Sequence, residues 1–301
     1  MYREQYKDIN ITSESKIVIG LGDSFTQGQG ACKNEIWEKY NWSFDEMYKH
    51  HETLVEEYEG AWVNQLCKNH LTDHIPINLG MRGCGNRAAV KELYLHPDLN
   101  LHLAKEKIVV YMLSGMERFD FINKEFNDHH HFFAMWPNPW DKGATNLKLW
   151  EAYAEDIWDD KFGYIEMLLN IAEAQTWCKA NNAKFIIVNA FRRDYIKEMY
   201  RHILTKEHEK GLIDVIQWDN YLYPRGYSCM TDLLVHLEGR DDLLGGGFYG
   251  WAMGHDKLTP KGLFTKCSHP SHEGHRIIAE TIYDYLNEDG LYDHSLNKRL
   301  I

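Results

Sequence analysis

The chain has 301 residues and a net charge of -12 with histidine neutral; 44% of it is hydrophobic and 13% aromatic. That length admits one large α/β domain or two smaller ones, with ample material for a core. The acidic balance speaks against nonspecific nucleic-acid binding, which needs Lys and Arg facing phosphates, and no apolar run approaches the ~18 residues of a membrane span.

Residues 1–8 are charged and lack an apolar run, so no signal peptide is read there, and the expected location is the cytoplasm or a virion. The first predicted strand covers 16–21, where Ile17, Val18, Ile19 and Leu21 form the short apolar run of a parallel strand buried on both faces. It leads at once into Gly22, Asp23, Ser24, Phe25 and Thr26. Ligands of open α/β sheets bind outside the carboxyl ends of strands, so a hydroxyl at this turn is placed to act as a nucleophile. A turn or helix-capping serine is the plainer alternative.

Residues 31–58 are charged and aromatic and are read as a mainly helical insertion. A helix over 60–69 (Trp62, Leu66, Cys67) precedes a strand over 75–79, and a helix over 86–95 (Ala89, Val90, Leu93, Tyr94) precedes a strand over 107–113. A second insertion, about 116–160, holds His129, His130 and His131, read as a solvated loop, and Trp136 and Trp140. A helix over 162–179 and a strand over 184–189 follow, then a fifth strand candidate over 213–218. The third insertion, about 221–264, carries glycines at 245 to 247 with Tyr249 and Trp251. The last helix starts near Ser271, its expected N-cap, and presents Ile277, Ile278 and Ile282.

Strands alternating with helices predict a doubly wound, mainly parallel sheet covered on both faces. No repeat and no Gly-, Ser- or Pro-rich linker divides the chain, so 1–301 reads as one domain with three insertions. Two of these directly follow strand ends and are placed to wall a site there. Their aromatics either line that site, against a sugar ring or an acyl group, or pack the insertions onto the core.

Several ligand classes find no support. The glycines at 20, 22, 28 and 30 complete no phosphate-binding pattern, so no cofactor is expected. His269, His272 and His275 recur at a spacing that drifts around a helix, without a carboxylate cluster, so no metal is expected. The six cysteines are scattered without a C-x-x-C pair and read as reduced thiols.

What remains is a serine and a histidine. A serine hydroxyl is a weak nucleophile until a base takes its proton, and imidazole suits that task near neutral pH. The negative oxygen that then develops needs preorganised donors. The candidate base lies near the other end of the chain, in His269-Pro270-Ser271-His272-Glu273-Gly274-His275.

Gly22-Asp23-Ser24, Asn78-Leu79-Gly80-Met81-Arg82-Gly83 and the His269 block resemble, in order and at strand ends, the motifs of SGNH (GDSL-type) hydrolases. The resemblance implies a flavodoxin-like three-layer α/β/α sandwich, with a sheet of about five strands, and metal-free esterase, deacetylase or lipase chemistry. Ser24 would be the nucleophile and His269 the base, with the N–H groups of Ser24 and Gly83 as oxyanion donors. Asp23 would border the site, and Asn86 would border it or cap the next helix. Two positions depart from the pattern. The family's third block usually supplies an asparagine donor, whereas this chain has Gly115-Met116-Glu117-Arg118; an ionised Glu117 cannot donate, so either Arg118 donates or Glu117 turns away. The family's aspartate three residues before the histidine is Lys266 here, and Asp256 is the candidate to orient His269 instead. A looser likeness links the Gly-x-x-Arg block to SGNH-type proteins of tailed bacteriophages.

The expectation is a serine esterase acting on a small acyl ester, such as an O-acetyl group on a carbohydrate. The alternative is an SGNH-fold binding or structural protein, for example a virion subunit, with room for a protein partner or a homo-oligomer.

Overall fold

The structure is a computed structural model that describes residues 6, 8–40, 46, 49–115, 118–122, 132–135, 160–191, 220–244, 262–265 and 269–287. Its centre is a four-stranded parallel sheet of β1 (Lys16–Leu21), β2 (His74–Asn78), β3 (Glu106–Leu113) and β6 (Lys184–Asn189), in the order β2-β1-β3-β6. Register places Ile17 beside Ile75 and Lys107, and Leu21 beside Tyr111, so all strands end on one edge. A parallel bridge from Ile187 to Tyr221 extends this order by one position, and the Leu222 N–H donates to Ile187 O at 2.7 Å. The fifth strand expected over 213–218 lies outside the described residues.

The strands are apolar throughout because both faces are covered. Odd-numbered residues of β1, β3 and β6, among them Ile17, Ile19, Tyr111 and Ile187, pack on one side. They meet α5 (Asn86–Leu95) and α6 (Asp160–Ala180). Even-numbered residues such as Val18, Val110, Met112 and Ile186 pack on the other side. They meet α4 (Trp62–Asn69), α7 (Met230–Leu237) and α8 (His272–Asn287). The result is the expected three-layer α/β/α sandwich with the flavodoxin-like strand order. Before α4 come the one-turn α1 (Ser24–Gln27), α2 (Asn34–Lys39) and α3 (His51–Gly60).

Two stretches differ from the sequence reading. The segment at 221–264 is not all insertion, because Met230, Leu233, Leu234 and Val235 of α7 are buried against the sheet. The helix MTDLLVHL has apolar residues at helical spacing, but its eight residues are too few to stand out within a long irregular stretch. Within 116–160 lies an antiparallel ribbon of β4 (Phe119–Ile122) and β5 (Phe132–Met135), each too short to show a strand period. No helix among the described residues is long and apolar enough to cross a membrane. The described cysteines, Cys32, Cys67, Cys84, Cys178 and Cys229, are free thiols and buried.

Candidate active site

The strand order reverses direction between β1 and β3: the chain goes from β1 out to β2, then back to the far side of β1. At such a switch point the loops after the two strands part and leave a crevice. Ser24 stands there. Gly22 leaves β1 with φ +148°, and a Cβ on it would lie 2.6 Å from Met112 O of β3, so the turn has no room for a side chain. Asp23 caps α1, its Oδ1 accepting the Phe25 N–H at 3.0 Å. Ser24 opens that helix and is 4% exposed.

His269 approaches from the opposite end of the sequence. Its carbonyl accepts the Thr265 N–H at 2.9 Å, and Pro270 forms an antiparallel bridge with Phe264, which pairs 264–265 with 269–270. Ser271 then caps α8 as expected, its hydroxyl accepting the Gly274 N–H at 3.2 Å. This pairing accompanies His269 Nε2 standing 2.8 Å from Ser24 Oγ, with the Phe25 ring centroid 5.8 Å from the imidazole. For the hydroxyl to donate, the neutral ring carries its proton on Nδ1.

The loop after β2 closes over the same edge. Its backbone is tied to the β1 turn by the Met81 N–H to Gly22 O at 3.0 Å and by Cys84 Sγ–H to Gly22 O at 3.3 Å. Gly83 has φ +71°, and a Cβ placed on it would meet nothing within 4 Å. Among the described residues, neither the Gly83 N–H nor the Ser24 N–H donates to a protein acceptor. These two amides belong to the turns that leave β1 and β2 at the sheet edge where Ser24 and His269 meet.

The other predicted residues are placed as follows. Asp23 is fully buried, and its Oδ2 accepts from Arg118 Nη1 at 2.6 Å. Burial pushes its carboxyl up from the ordinary value, opposed by the Arg118 charge and the Phe25 N–H. Arg118 Nη1 also donates to Cys84 O at 3.1 Å, and its guanidinium lies 5.5 Å from the Phe191 ring centroid. Asn86 does not cap α5, where Gly85 holds the cap position. It pairs with the backbone of Ser114, Oδ1 accepting the N–H at 2.8 Å and Nδ2 donating to the carbonyl at 3.2 Å. Glu117, Asp256 and Lys266 lie outside the described residues, as do Trp136, Trp140, Tyr249 and Trp251.

The three C-terminal histidines do not converge. His269 meets Ser24, His272 Nδ1 meets Ala31 O at 3.0 Å, and His275 Nδ1 accepts the Trp62 N–H at 3.3 Å. Two supports of the site escaped the sequence reading. Asp120 accepts the Gly85 N–H at 2.7 Å and the Ala88 N–H at 2.9 Å. Glu57 accepts the Gly30 N–H at 2.9 Å and pairs with Arg82, which also donates from Nε to Gln27 Oε1 at 2.7 Å.

No protein-family model matches the chain, and no curated protein matches it in sequence.

Proposed function

We propose that the protein is a serine esterase of the SGNH type that hydrolyses small acyl esters through an acyl-Ser24 intermediate. The observation that carries this reading is the 2.8 Å contact between Ser24 Oγ and His269 Nε2, made by residues 245 positions apart. A chance pairing would not also bring two uncommitted N–H groups, of Ser24 and Gly83, to the same strand edge.

The chemistry follows from these atoms. His269 Nε2 takes the Ser24 proton as Oγ attacks the ester carbonyl carbon. The oxygen that becomes negative is held by the Ser24 and Gly83 N–H groups. Collapse expels the alcohol, which takes its proton from His269 and leaves Ser24 acylated. A water then gives its proton to His269, attacks the acyl carbon, and releases the carboxylic acid as Ser24 recovers its hydrogen. A small acyl group such as acetyl is the acyl length to try first. An acetylated carbohydrate is the substrate class to try first.

The experiment is hydrolysis of p-nitrophenyl acetate by the wild type and by Ser24→Ala. The variant should keep its fold and lose turnover by on the order of 10³-fold or more. Equal turnover in both would remove Ser24 from the reaction.

A further inference from the structure

We infer that Arg118 is a positioning residue that sets the spacing of the two oxyanion N–H groups by clamping the loops that carry them. One atom does this. Arg118 Nη1 donates to Asp23 Oδ2 at 2.6 Å and to Cys84 O at 3.1 Å. Asp23 directly precedes Ser24, and Cys84 directly follows Gly83. The clamp therefore grips each loop one residue away from its donor.

The surroundings make the grip stiff. The Arg118 side chain is 6% exposed and that of Asp23 is wholly buried, so water competes weakly for either partner. Asp23 cannot swing away, because its other oxygen caps α1. The segment bearing Arg118 is itself anchored two residues later, where Asp120 holds the Gly85 and Ala88 N–H groups. It also lies flat on Gly85: a Cβ there would come within 2.8 Å of Arg118 O and 2.6 Å of Asp120 Oδ2. Two independent features, an ion pair and a forced glycine, thus bind the 118–120 segment across both loops.

Both of these Nη1 contacts are made to the protein, one to each loop, so through them Arg118 acts on the loops that carry the donors. A buried ion pair is weak evidence for stability, since desolvation offsets the attraction. Its value here is geometric, because a displacement of about 1 Å at a reacting group costs on the order of 10²-fold in rate.

The inference rests on the esterase reading, and the test keeps the two apart. Wild type, Arg118→Lys and Arg118→Gln are compared by p-nitrophenyl acetate kinetics and by hydrogen–deuterium exchange of peptides containing Ser24 and Gly83. Lysine keeps a charge opposite Asp23 but lacks the planar fork and reach of the guanidinium. Both variants should lose kcat by on the order of 10²-fold with KM changed less than about threefold, and both peptides should exchange faster. Arg118→Lys should recover the melting temperature without recovering kcat, which a purely structural role would not produce. Wild-type kcat in the lysine variant, or unchanged exchange at both peptides, overturns the clamp. If the wild type itself neither turns over nor reacts at Ser24, the esterase reading fails, and exchange alone decides whether Arg118 ties the two loops.

Discussion

Asp120 closes the start of a helix whose cap residue lies 35 residues before it: its Oδ1 accepts the Gly85 N–H at 2.7 Å and its Oδ2 accepts the Ala88 N–H at 2.9 Å. The first amides of a helix have no partner within it. Gly85, at the cap position of α5, has no side chain to serve them. A carboxylate from the segment after β3 does so instead and meets the positive end of the helix dipole. Burial pushes the Asp120 carboxyl up from its ordinary value, while the two N–H bonds and the nearby Arg118 charge pull the other way.

Asp120→Ala should therefore destabilise the protein by about 2 kcal/mol, the upper range for a lost cap. Asp120→Asn should recover only part, because one N–H would then face an amide NH₂. Urea denaturation measures both. Wild-type stability in the alanine variant would show that the cap is idle.

The buried Glu57–Arg82 pair predicts an asymmetry. Glu57 is fully buried, whereas the Arg82 side chain is 30% exposed. Arg82→Ala strips a buried carboxylate of its guanidinium and should cost about 3 kcal/mol, the low end for a broken buried pair. Glu57→Gln leaves a partly hydrated guanidinium and keeps an acceptor for the Gly30 N–H, so its cost should be about 1 kcal/mol. Reversal of that order in thermal or urea melts would contradict the burial argument.

His275 predicts an acid sensitivity. Full burial, and secondarily the nearby His269 and His272, push its imidazole down from 6.5 to about 3. The unfolded chain takes up this proton below about pH 6.5, and the folded chain only near pH 3. Its contribution to stability is thus complete above pH 6.5 and lost as pH falls toward 3, at up to about 1.4 kcal/mol per pH unit. His275→Gln, which keeps an acceptor for the Trp62 N–H, should flatten that slope between pH 6 and 4.5. An unchanged slope in urea titrations would assign the acid sensitivity elsewhere.

The legible parts of this chain are those where a local pattern carries the whole signal. Ile17 to Leu21 and Ile108 to Leu113 are apolar in sequence because the sheet is covered on both faces, so the strands declare themselves. Ser24 and His269 were visible because glycine and proline punctuate the turns that hold them. The Arg118–Asp23 and Asp120–Gly85 pairings are different. Each joins ordinary charged or small residues across a long stretch of chain, and nothing in either neighbourhood marks the partner. Asn86 shows the same limit from the other side: nothing in its motif announces that its amide pairs with the backbone of Ser114, 28 residues on.

The most direct test of the central claim is a fluorophosphonate probe followed by mass spectrometry of the labelled peptide, run on wild type, Ser24→Ala and His269→Ala. A nucleophile paired with its base predicts a single adduct on Ser24, none in the alanine variant, and labelling slowed by on the order of 10³-fold without the imidazole. A folded wild-type protein that takes up no probe, or an adduct that persists when Ser24 is gone, would contradict it.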